Sequence, residues 1–183
     1  AIDSKVPDRF LAWQSLQYIR NEIPHIPIQA RGLTDTTLAT IATTSWQPYT
    51  WSLNNVAMSE VMHTALAFWQ GGRKEEAYNL FKSALVESMY LGASPGNFQQ
   101  LSFYDAMRGE LYRDFADVIG TTSRSLVEGL FGIFVDALRD TVYWQPGFPA
   151  DWERASLQTP DLTVSFTRKG LVPQQLRAKK QTQ

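Results

Sequence analysis

The densest supply of catalytic side chains lies in Asp-Ala-Met-Arg-Gly-Glu-Leu-Tyr-Arg-Asp-Phe-Ala-Asp, which carries Asp105, Glu110, Asp114 and Asp117. Carboxylates so close together offer acid–base chemistry, and hydrolysis of a sugar bond needs two of them, one on each side of the bond being broken. Arg108 and Arg113 interleave with them, so the run also fits a solvated helix face held by ion pairs. Asp117 is set apart by its place. It precedes Ile119-Gly120-Thr121-Thr122-Ser123, where a loop enters an apolar helix, and a carboxylate there looks into the end of a helical array. Glu128 lies in the apolar middle of that helix. Desolvation favours a protonated carboxyl, the state a general acid needs; Arg124, one turn earlier on the same face, offers an ion pair instead.

Candidate binding groups lie elsewhere. Trp46, Tyr49 and Trp51, with Asn54 and Asn55 close behind, make an aromatic platform with amide hydrogen-bonding groups, which suits the apolar face and the hydroxyls of a sugar ring. The same residues suit packing at a helix N-terminus, with Ser52 and Asn54 as caps. Gly120, Thr121, Thr122 and Ser123 gather hydroxyls and free backbone N–H groups at a helix start, a pattern that holds anions. His25, between Pro24 and Pro27, fits a loop ligand, whereas His63 fits a satisfied core histidine.

Composition narrows the chemistry further. The 183 residues include no Cys and two His, which removes disulfides, thiol nucleophiles, Cys-ligated zinc and a His-built metal site. No metal or cofactor is expected. With 17 Lys plus Arg against 18 Asp plus Glu, the chain has no field that attracts nucleic acid or an acidic membrane. No apolar run approaches the ~20 residues of a membrane span. The opening residues lack a signal-peptide pattern, as expected of a cytosolic chain, a processed one or a piece of a longer one.

The elements that must position these groups read as follows. Residues 7–22 place Phe10, Leu11, Trp13, Leu16 and Ile19 at helical spacing, and Pro24 and Pro27 stop the helix. Residues 51–70 form a helix apolar nearly all round, hence buried nearly all round. Gly71-Gly72 turns the chain into an amphipathic helix over 73–90, with Ala77, Leu80, Phe81, Ala84, Leu85 and Met89 on its inner stripe. The pair is an αα-hairpin. Residues 92–122 are irregular with at most short helices, and 123–140 form a second buried helix. From Thr141 the period changes to two, and strands are expected through Phe166. The last ten residues give no clear pattern.

The run TWSLNNVAMSEVMHTALAFWQGGRKEEAYNLFKSAL, then DVIGTTSRSLVEGLFGI, then PGFPADWERASL before a strand, resembles the C-terminal half of the six-hairpin, (α/α)6-barrel glycosidases. The nearest likeness is to an uncharacterised secreted family of gut bacteria. A more distant one is to inverting α-L-fucosidases and to disaccharide phosphorylases such as maltose phosphorylase. In the fucosidases the general-base aspartate opens an Asp-Gly-Asn-Phe-Gly loop eleven residues before a Glu, and Asp117 and Glu128 have that spacing. The loop here reads DVIGT, with the glycine displaced and the asparagine absent. In the phosphorylases the same loop binds phosphate, but their loop histidine and glycine pair is missing here.

The resemblance implies a mainly α fold: αα-hairpins forming part of an (α/α)6 barrel over 1–140, followed by a short β-strand region over 141–183. It implies an inverting glycoside hydrolase, periplasmic or secreted, with Asp117 and Glu128 as catalytic residues. Trp46, Tyr49, Trp51, Asn55, Thr121 and Ser123 would bind the substrate. A carbohydrate is the expected ligand. The remaining half of the barrel, or a second copy, is the expected protein partner, because a lone half-barrel exposes apolar faces. A degenerate carbohydrate-binding or structural domain is the alternative, and a phosphorylase a further one.

Overall fold

The computed structural model describes residues 2–45, 53–91, 101–102, 117–160, 162–169 and 172–180. It divides into two units, 1–147 and 148–183. Helix α1 (Arg9–Glu22) starts where the Asp8 carboxylate accepts from the Leu11 backbone N–H at 2.8 Å, an N-cap that satisfies one of the helix's orphan donors. It ends before Pro24. Only part of its apolar stripe is covered. Leu16 is 2 % exposed, whereas Phe10 and Trp13 are 61 % and 52 % exposed and stack on each other.

Strands β1 (His25–Pro27) and β2 (Ala39–Ile41) pair antiparallel, then β3 (Thr44–Ser45), β4 (Leu53–Val56) and β5 (Leu101–Ser102) form a second small sheet in the order β3-β4-β5. From β4 the chain passes directly into α2 (Met58–Gln70). Its Val61, Met62, Ala65, Leu66, Phe68 and Trp69 are buried, as a helix apolar on most sides must be. Gly71 and Gly72 close it. Gly72 takes φ +77°, the left-handed conformation that glycine adopts without a Cβ clash at a helix C-terminus. Helix α3 (Lys74–Leu85) returns with Ala77, Leu80, Phe81 and Ala84 inward and runs on as a π-helical turn, Val86–Leu91. The αα-hairpin expected from the two-glycine turn is present, although α2 begins after a strand rather than at Trp51.

Helix α4 covers Asp117–Arg124 and continues as a π-helical segment, Ser125–Leu130. The Ser125 hydroxyl donates to the Met62 carbonyl at 2.8 Å in the buried interface with α2. Farther along, a Cβ on Gly129 would stand 2.1 Å from Cε3 of Trp69. Both contacts advance in the same chain direction, so α2 and α4 run parallel. The expected helix over 123–140 is corrected here. Gly132, at φ +69°, ends it, and β6 (Ile133–Asp136) pairs with β7 (Thr141–Trp144).

In the second unit β8 (Arg154–Gln158), β9 (Leu162–Lys169) and β10 (Val172–Lys180) form an antiparallel sheet in the order β10-β9-β8. Phe148 packs between Trp152 at 5.5 Å and Phe166 at 4.5 Å between ring centroids. Residues 174–180, which had no clear sequence pattern, thus belong to β10.

The expected mainly α fold, part of an (α/α)6 barrel with strands only at its end, is overturned. The described residues interleave four helices with ten strands in four small antiparallel sheets, and strands precede, separate and follow the helices. Among the described residues no helix is long and apolar enough to cross a membrane.

Candidate functional site

Because α2 and α4 are parallel, their N-terminal ends lie at one end of the pair. That end of the elements carries two of the sequence-selected positions. Asp117 is the first residue of α4, and Asn55 sits in β4, three residues before Met58 starts α2. In the small sheet Asn55 pairs in register with Thr44 on one side and Ser102 on the other. Trp46, Tyr49 and Trp51 lie outside the described residues, as do Asp105, Glu110 and Asp114.

The hydroxyls along α4 turn inward to their own helix. Thr121 donates to the Val118 carbonyl at 3.1 Å and Ser123 to the Ile119 carbonyl at 2.9 Å. Back-bonding of this kind is the common fate of such residues within a helix. Thr122 differs: its hydroxyl oxygen is buried with no hydrogen-bond partner among the described residues. The sequence pattern marked the whole Gly120–Ser123 run and gave no means of separating these three hydroxyls.

Glu128 sits toward the other end of α4, away from Asp117. Both of its oxygens accept from Arg124, from Nε and from one terminal nitrogen, each at 3.0 Å. This is the ion pair that four-residue spacing allows. The same guanidinium then grips a second carboxylate, with 2.6 and 2.7 Å contacts to Asp3. Arg124 therefore bridges two carboxylates in bidentate fashion, the geometry its planar fork favours. Burial raises the Asp3 carboxyl, but hydrogen bonds from Arg124 and Gln70 outweigh it and hold the group below its ordinary value. Hydrogen bonds from Glu128 and Asp3 push Arg124 upward. Sequence spacing revealed Glu128 with Arg124; Asp3, more than a hundred residues away, left no signal.

The two histidines are both exposed. His63, expected in the core, points outward from α2 because it falls between the buried pairs Val61–Met62 and Ala65–Leu66. His25 makes a 2.9 Å hydrogen bond to the Ile23 carbonyl through Nδ1. Among the described residues no group of His, Asp and Glu is arranged to hold a metal ion.

A second feature lies at the C-terminal ends of α2 and α4. There a cleft of about 470 Å³ is bounded by Trp69, Gln70 and Glu128, by β6 and β7, and by the segment leading into α1. The Trp69 indole donates to the Gly147 carbonyl at 2.9 Å, and Lys74 donates to the Pro146 carbonyl at 2.6 Å. These bonds fix the wall of the cleft. Comparison with protein-family models, with curated proteins and with solved structures returned no match.

Proposed function

We propose that the chain is part of a glycoside hydrolase that cleaves an oligosaccharide by inversion, with Asp117 activating the attacking water. One observation supports the reading above others: the parallel packing of α2 and α4 sets Asp117 and Asn55 at the same end of a buried helix pair. A base and a polar group for sugar hydroxyls are needed together at such a site. The resemblance to inverting α-L-fucosidases supplies the role of Asp117, and Trp46, Tyr49 and Trp51, which fall between β3 and β4 in the sequence, are residue types that stack on a sugar face. With both Glu128 oxygens held by Arg124, the general acid of this reading comes from outside the described residues. In an inverting enzyme it would stand ~6.5–9.5 Å from Asp117, which leaves room for the water.

The test is sugar release from a broad panel of oligosaccharides, with Asp117→Asn alongside the parent chain. Loss of general-base action lowers turnover by roughly 10²–10⁴-fold, with saccharide affinity retained. Release that survives the substitution removes Asp117 from the mechanism. Saccharide binding without release from either protein would instead mark a carbohydrate-binding module.

A further inference from the structure

The cleft at the C-terminal ends of α2 and α4 is separate from the end that carries Asp117, because α2 alone spans ~18 Å at 1.5 Å per residue. Its charged groups divide sharply by whether they are already engaged. Asp3 and Glu128 are taken up by Arg124, Asp8 caps α1, and Lys74 is held by the Pro146 carbonyl. Lys5 and Arg9 have no such partner. Both line the cleft, and among the described residues neither side chain has a hydrogen bond or an ion pair. Counting Arg124, four cations surround three carboxylates, so the free groups and the local balance both favour an anion.

Two more observations point the same way. Lys5 holds φ at +54°, in the left-handed region that a non-glycine residue occupies at a cost. Its backbone N–H closes a turn onto the Ile2 carbonyl, and its ammonium stands 4.7 Å over the Phe134 ring. Tyr143 lies beside Phe134, 6.2 Å between centroids, and is half exposed into the cleft. A cation with no hydrogen bond or ion pair among the described residues thus stands over Phe134 and near the half-exposed Tyr143. We infer that this cleft binds a carboxylate-bearing saccharide, a uronic acid unit whose carboxylate is taken by Lys5 and Arg9 while its apolar ring face rests on Tyr143.

The test is calorimetric titration of the full chain with a galacturonate trimer, its carboxyl-reduced neutral counterpart, and benzoate. The acidic trimer binds, and the neutral one binds about tenfold more weakly or worse, the scale of one charge-assisted hydrogen bond. The double variant Lys5→Gln, Arg9→Gln loses a similar factor for the acidic trimer, and Tyr143→Ala weakens it while melting at the parent temperature. Equal affinity for the neutral trimer, benzoate binding as tightly as the acidic trimer, insensitivity to the double variant, or no binding at all each overturns the inference. The titration reads binding through Lys5, Arg9 and Tyr143 and not sugar release, so a failure of the hydrolysis proposal is told apart from a failure of this one.

Discussion

Arg124 is the most heavily engaged charged residue described, and its effect on stability follows from what it neutralises. Without it Asp3 and Glu128 would face each other with no cation between them. Both carboxylates retain some solvent contact, so the cost is well below that of a fully buried pair. Replacing Arg124 by Gln is expected to destabilise the chain by ~1–2 kcal/mol at neutral pH. Asp3 has a depressed folded-state pKa, so its contribution is present above the ordinary carboxylate range and is lost as pH falls below it. The deficit of the variant therefore shrinks toward pH 3. Denaturant unfolding at pH 7 and pH 3 checks both the size and the trend.

Among the elements, the α2–α4 interface depends on close approach where Trp69 lies against Gly129 and Gly147. The Trp69 ring occupies the space a side chain at 129 would need. Gly129→Ala is expected to cost ~1–3 kcal/mol through overpacking, read as a lower denaturation midpoint at unchanged slope. Trp69→Phe keeps most of the ring but removes the bond to the Gly147 carbonyl, which is left buried; a loss of about 1 kcal/mol is expected from the same measurement. The sequence revealed α1, α2 and α3 because their apolar residues keep a helical period, with proline following α1 and glycine closing α2. It misread 131–140 for a definite reason. Phe131, Ile133, Phe134 and Val135 satisfy a helical or an alternating pattern equally over so short a run. The left-handed turn at Gly132 and the Gln145 N–H donated to its carbonyl decide for a strand. Of the candidate site, Asp117 was legible as a helix-entry residue and Asn55 only as an amide beside the aromatic run, since the sequence put it inside a helix and the structure puts it in β4. The distant partner Asp3 was not legible, since no local spacing encodes a contact across the chain.

For the molecule as a whole, one contribution to acid sensitivity comes from a tie between distant segments. The loop before β2 is fastened to α3 by Asp35, whose carboxylate accepts from Lys82 at 2.7 Å and from the Thr37 hydroxyl and backbone N–H at 2.6 and 3.1 Å. Asn79 on α3 adds a 3.1 Å bond to the Thr37 carbonyl, and Ser83 accepts from the Ala39 N–H at 3.1 Å. The Lys82 hydrogen bond, followed by those from Thr37, lowers the Asp35 carboxyl from 3.8 to about 2. A carboxylate whose folded pKa is depressed stabilises the fold above its unfolded pKa and loses that contribution as pH falls through the folded one. The parent chain should accordingly be more stable than Asp35→Asn above pH 4, with the gap closing between pH 3.8 and about 2. Paired thermal melts from pH 6 down to pH 2 measure that gap. A gap that stays constant across the range would assign the acid response to other carboxylates, with Asp3 beside Arg124 the next to test.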